Sequence, residues 1–210
     1  MLSEESFRAP VPPPVRSGVP SRVTPSDPSA FDPGRHAMSA TVPITVQPID
    51  DAIDLRRVAA LNDAEVPRVS PLGLAGVRRL LPKCDLALAA TDGAGTIAGF
   101  VFAVAPGSDY DSVNYRYFED RGTDHLYVDR VVVGPAFRRQ GIAGQLYDAV
   151  AARARETGRA EVTCEVNVSP PNPGSEVFHQ RRGFVEVGRQ ATTGGTLTVA
   201  LLAHSLDGAA

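Results

Sequence analysis

Val131-Val132-Val133-Gly134-Pro135-Ala136-Phe137-Arg138-Arg139-Gln140-Gly141-Ile142-Ala143-Gly144 is the stretch on which the fold turns. An apolar strand runs into a tight turn of basic and small residues, and then into a helix. The helix follows from Ala143, Leu146, Tyr147, Val150, Ala151 and Ala154, which recur at three- and four-residue spacing until Gly158 stops the run. Gly141 and Gly144 are poor helix formers and belong in the first turn, where a missing Cβ lets a ligand approach closely. Backbone N–H groups of such a turn, with the positive end of the helix dipole behind them, make an anion cradle suited to a phosphate. The P-loop ending Gly-Lys-Ser/Thr and the dinucleotide pattern Gly-x-Gly-x-x-Gly are both missing from it.

Outward from this stretch, composition sets bounds. The chain has 210 residues, 43% of them apolar, which allows one globular domain with a tail. No run approaches the roughly 18 apolar residues of a membrane span, so no membrane partner is expected. The net charge of −3 argues against nucleic-acid binding. Cys84 and Cys164 are far apart, without a Cys/His cluster, which predicts reduced thiols in a cytoplasmic protein and no metal site.

Residues 1–40, rich in Pro, Ser and Arg, read as a disordered tail, with Met38 as an alternative start; 41–205 read as the domain. Ile44, Val46 and Ile49 alternate as a first strand. Asp50 or Asp51 would cap a helix reaching Asn62, and Ser70-Pro71 opens a second helix that Pro82 ends. Residues 85–91 and 96–104 form a hairpin about Asp92-Gly93-Ala94-Gly95. Residues 106–123 read as a long aromatic loop of the kind that carries function. His125 to Val133 is the strand entering the cradle. After its helix come a strand from Glu161, a Pro-rich turn, a short helix 174–182, and two closing strands. This is an α/β chain of order β-α-α-β-β-β-α-β-α-β-β.

Arg138-x-x-Gly141-x-Ala143 after a strand resembles the acyl-CoA signature of the GNAT N-acetyltransferase superfamily. A second run, Asn172-x-x-Ser175-x-x-Phe178-His179-x-x-x-Gly183-Phe184, is similar to that family's Asn-x-x-Ala-x-x-Phe-Tyr-x-x-x-Gly-Phe. The element order matches from Thr41 to Ala203. The resemblance implies a GNAT-like fold with a splayed central strand pair, acetyl-CoA as co-substrate, no metal, and acetyl transfer to a primary amine in a ternary complex. It implies that Val131, Val132 and Val133 present backbone groups to the pantetheine arm, that Arg138, Arg139, Gln140, Gly141, Ile142, Ala143 and Gly144 hold the pyrophosphate, and that Asn172, Ser175 and Phe178 line the groove. The acceptor is a small-molecule or peptide amine, and a homodimer is compatible with the resemblance.

The chain departs from the family where His179 replaces a tyrosine that acts as general acid. An imidazole can donate a proton or simply pack beside the cofactor. Glu165 is the first candidate for the base that deprotonates the amine, its Cys164-Glu165-Val166 resembling the Leu-Glu-Val of ribosomal-protein N-terminal acetyltransferases. Asp129 is the second, by strand parity with Val131 and Val133. Each could instead form an ion pair, with Arg130 or Arg182 for instance. Cys164 alternates to the opposite face from Glu165 and reads as core. The acidic, aromatic Asp109-Tyr110-Asp111 suggests attraction of a cationic acceptor. The competing function is a catalytically silent acyl-CoA-binding regulatory module.

Overall fold

The structure is a computed structural model that describes residues 43–206. The expected tail, the alternative start at Met38 and the last four residues lie outside that span. Seven strands form one mixed sheet in the order β1-β2-β3-β4-β5-β7-β6. They are β1 (Ile44–Pro48), β2 (Leu86–Asp92), β3 (Ile97–Val104), β4 (His125–Val133), β5 (Glu161–Ser169), β6 (Val185–Thr192) and β7 (Leu197–Ser205). The helices are α1 (Leu55–Asp63), α2 (Gly73–Leu80), α3 (Val113–Arg121), α4 (Ile142–Glu156) and α5 (Pro173–Arg181). The mixed α/β architecture expected from the sequence is therefore present.

Each face of the sheet carries its own core. On one, Leu126, Val128, Val162, Cys164 and Val166 pack with Leu146, Tyr147 and Val150 of α4, and Phe178 of α5 joins them. On the other, Phe100, Phe102, Tyr127 and Val132 pack with Val58 of α1, Val77 and Leu80 of α2, and Tyr115 and Phe118 of α3. β3 is buried along its whole length between these layers. Full burial of each large apolar side chain is worth about 1.5–3 kcal/mol.

Local details differ from the sequence reading. The cap of α1 is Asp54, which accepts from Arg56 N–H, while Asp50 closes a preceding turn onto Ala52 N–H. α2 begins at Gly73 rather than Ser70, because the Asp63 carboxylate takes the Leu72 and Gly73 N–H groups. The largest difference is α3, in the stretch expected to be a loop. Ser112 caps its start by accepting from Tyr115 N–H, and Gly122 ends it in the left-handed conformation. Tyr115 and Phe118, three residues apart, are its buried face.

Two irregularities position the site. First, β4 with β5, the one parallel pair among the described residues, is joined from His125↔Glu161 to Val128↔Cys164 and no farther, although both strands continue. Second, β4 carries a bulge: its register against β3 passes from Val128 to Arg130 and leaves Asp129 as the extra residue. A bulge inverts alternation beyond it. Leu126 and Val128 thus lie on the α4 face together with Val131 and Val133, while Asp129 points with Tyr127 to the opposite side. The parity argument that set Asp129 beside Val131 and Val133 fails for this reason.

Candidate active site

The cradle is built where β4 gives way to α4. Arg139 (φ 60°) and Gly141 (φ 81°) are both left-handed, which curls the chain so that successive N–H groups converge. The first helical bond of α4 runs from Gln145 N–H to the Gly141 carbonyl, so the N–H groups of Ile142, Ala143 and Gly144 precede the helical ladder. Arg138 is held otherwise: its guanidinium pairs with Glu65 in the α1–α2 connection and its Nε donates to the Val133 carbonyl at 3.2 Å. Asn172 caps α5 by accepting from Ser175 N–H. Phe178 packs on the α4 face beside Tyr147, with ring centroids 5.5 Å apart.

Past Val128 and Cys164 the two central strands separate, and their facing edges carry N–H and C=O groups that no strand of the sheet pairs. Glu165 is the first β5 residue beyond the last rung. Its side chain turns away from α4, and Oε2 accepts from the Tyr127 hydroxyl at 2.7 Å. Burial pushes its carboxyl up to about 7, with the charge of Asp129 acting the same way, while bonds from Tyr127 and Asn114 oppose the shift. A carboxyl at that value is ionised about half the time at neutral pH, the range in which a base can both take and release a proton. Asn114 of α3 is itself fixed by Gln190 of β6 at 2.9 Å.

The match to the Acetyltransferase (GNAT) family spans residues 62–184, more than half of the chain, and takes in the cradle, the splayed strands and α5. The chain belongs to the GNAT acetyltransferase family. No curated protein sequence matches it. Among solved structures it is similar to Arabidopsis thaliana NAA60 in complex with a bisubstrate analogue (18% identity, TM-score 0.63, covering 80% of this chain and 100% of that one). It is also similar to the NatC complex bound to Gag peptide and CoA (18%, 0.61, 78% and 98%). A third is the ribosomal-protein-S18-alanine N-acetyltransferase from Escherichia coli (17%, 0.59, 80% and 96%). At these identities the likeness concerns the fold.

Within this GNAT domain the remaining candidates are distributed unevenly. Asp129 is brought near Glu165, but its Oδ2 accepts from Arg130 Nε at 2.6 Å, and the two side chains are 4% and 5% exposed. Arg130 also reaches Asn62 Oδ1 and the Ser70 carbonyl, so the pair ties β4 to α1 and its following connection. Tyr110 comes to the site and donates to Asp129. Its neighbours do not: Asp109 pairs with Lys83 and Asp111 with Arg116, both on the surface.

His179 is 3% exposed and enclosed edge-on by the rings of Tyr147, Phe178 and Phe184. Its Nδ1 lies 2.8 Å from the Ser175 carbonyl and its Nε2 2.7 Å from the Tyr147 hydroxyl. Burial pulls its pKa below the ordinary value, with the charge of Arg182 in the same direction. Both effects favour the neutral ring. Cys164 is 2% exposed and sits in the α4-side core, its thiol pushed up well past the usual range by burial.

The sequence reading gave no site role to Tyr127, Asn114 or Gln190, and took Tyr147 only as a position on the apolar stripe of α4. Tyr127 carried a signal, since alternation along β4 sets it on one face, but pairing it with Glu165 required the β4–β5 register. Among the described residues no group of three or more His, Cys, Asp or Glu side chains could hold a metal ion, and no helix is long and apolar enough to cross a membrane.

Proposed function

We propose that this protein transfers an acetyl group from acetyl-CoA to a primary amine by direct attack in a ternary complex. One observation carries the reading: the parallel strands part at Val128 and Cys164, an anion cradle closes one end of the gap, and Glu165 stands just past the fork. Unpaired backbone groups need partners. An arm rich in amides supplies them as a strand would, and the N–H groups from Arg139 to Gly144 suit a pyrophosphate. Ser175 and Phe178 would flank the arm from α5.

The thioester is already activated, so the chain has three tasks. Splayed strands and cradle fix its position, which converts a bimolecular step into an intramolecular one. Backbone N–H groups of Val131 to Val133 stabilise charge on the carbonyl oxygen as the amine attacks. Glu165 removes a proton from the ammonium form of the acceptor, directly or through water, because only the neutral amine attacks. Asp129 acts on Glu165 through its charge and on the fold through Arg130.

The acceptor we infer is a cationic amine. Asp129 and Glu165 lie by one buried guanidinium, that of Arg130, leaving the cluster net negative when both are ionised, and the half-buried Tyr110 ring stands beside them. NatC and NAA60 were crystallised with a peptide and a bisubstrate analogue, and an amine of peptide type is one arm of the test.

Purified protein is to be incubated with acetyl-CoA and a panel of small diamines, amino acids and short peptides, and free thiol measured. Amine-dependent thiol release should rise with pH through about 7, following Glu165, and Glu165→Gln should lower kcat by on the order of 100-fold or more. Acetyl-CoA binding without turnover on any amine would support the regulatory-module reading instead.

A further inference from the structure

We infer that the acceptor is a slender aliphatic amine or diamine, its nitrogen on an unbranched methylene, and that the β3–β4 connection with α3 selects it by narrowing the approach to Glu165 to a slot. This deepens the acetyl-transfer reading above and rests on it. α3 is the element missing from the expected order, and it lies along β5 on the second face of the sheet. At its start Asn114 bonds to the Glu165 carboxylate, and at its end Arg121 pairs with Glu161. The two glutamates stand about 13 Å apart along the strand, and the helix from Asn114 to Arg121 covers about 10 Å of that. Thr163, between them on the same side of β5, is 0% exposed.

Sideways, α3 reaches the strands that flank β5. Tyr115 and Phe118 meet Tyr127 of β4, with ring centroids 5.7 Å apart in each pair. Tyr117 and Asn114 reach over β7 to Val187 and Gln190 of β6, at 2.7 and 2.9 Å. The helix thus takes the place where an extended polypeptide running down the sheet from Glu165 would lie. The strap that leads into it is anchored as well. Gly107 N–H donates to Glu119 Oε2 and Ser108 N–H to the Tyr115 hydroxyl, both at 2.9 Å, and the strap delivers Tyr110 to Asp129.

In the other direction along β5 the next residue on that side is Asn167. Its Nδ2 donates to the Pro67 and Arg68 carbonyls of the α1–α2 connection, at 3.4 Å each. Glu165, which keeps partial contact with solvent, is therefore approached between the first turn of α3 and that connection. Shape and charge then act together. An α-amino group sits on a carbon that branches into a side chain and a carbonyl, whereas an aminoalkyl end is no wider than its methylene chain. A free amino acid also brings a carboxylate beside Asp129 and Glu165, where like charges repel. A diamine brings a second positive charge to the same cluster.

Thiol release is to be compared for 1,4-diaminobutane, alanine amide and tetra-alanine. A kcat/KM for 1,4-diaminobutane at least about 50-fold above that of either α-amino compound is expected, and a smaller margin overturns the inference. The margin should narrow by about threefold or more in Tyr117→Phe, which drops the bond to Val187 and loosens α3. It should narrow further in Gly188→Ala, which crowds Tyr117 off β6. A margin equal to that of the wild type in both variants overturns the selecting role of α3, since a merely structural helix lowers all three acceptors alike. Should the wild type release thiol with no amine, the acetyl-transfer reading falls, and hydrogen exchange of CoA-saturated protein still decides the slot. Unchanged exchange at 113–121 in excess tetra-alanine is expected; faster exchange there, as the peptide displaces α3, overturns the inference.

Discussion

Glu165 is held in a state that costs the fold something. Its carboxyl is raised by burial and by Asp129 from the ordinary value near 4.5 to about 7. A raised carboxyl favours folding when protonated, so its contribution is present below about pH 4.5 and lost as pH climbs through 7. At pH 8 the ionised group opposes folding by at most about 3 kcal/mol, and by about 1–2 kcal/mol after allowance for its contact with solvent. Glu165→Gln should therefore raise the melting temperature by roughly 3–6 °C at pH 8 and by nothing at pH 4, read by calorimetry. Asp129→Asn should behave oppositely: it strips the buried Arg130 of its counter-charge, a change that costs about 3–5 kcal/mol in a urea titration. Two carboxylates side by side thus differ in role because one is paired and the other is not.

At the scale of elements, α3 shares the second face of the sheet with α1 and α2. It docks on β6 through Tyr117, whose hydroxyl donates to the Val187 carbonyl at 2.7 Å, and through Asn114 to Gln190. Gly188 makes that approach possible, since a Cβ there would overlap the Tyr117 hydroxyl, and the β6–β7 register shifts at the same place. Because Asn114 also bonds to Glu165, the docking of α3 reaches the proposed base. Gly188→Ala is expected to lose about 1–3 kcal/mol and to raise the KM for the amine while the affinity for CoA stays unchanged. Calorimetry and steady-state kinetics check the two halves of that statement. The helix escaped sequence reading because three aromatic rings in its nine residues give weak intrinsic helix preference; burial of Tyr115 and Phe118 against Tyr127 supplies what propensity lacks.

For the molecule as a whole, the gap between β4 and β5 is the feature on which the proposed binding of acetyl-CoA rests. Saturating CoA at 100 times its dissociation constant should stabilise the protein by about 2.7 kcal/mol. Hydrogen exchange should slow at 129–133, 139–144 and 165–167, and little elsewhere. Equal exchange with and without CoA at those amides would contradict the placement of the ligand in the splay.

Much of this was legible in one dimension. The strand, turn and helix of 131–156, the short helix after the Pro-rich turn and the apolar alternation that buries Cys164 all follow from spacings of a few residues, because local backbone preference and side-chain period act over that range. What the residues do to one another was not. A single extra residue at Asp129 turned it away from Val131 and Val133, and no local signal marks a bulge whose cause is the pairing with β3. Tyr147 and His179 are thirty-two positions apart, and Tyr127 and Glu165 thirty-eight. Their meeting is set by which strands and helices pack side by side, and so is the carboxyl that titrates near neutrality, since burial and neighbouring charge exist only once the chain has folded.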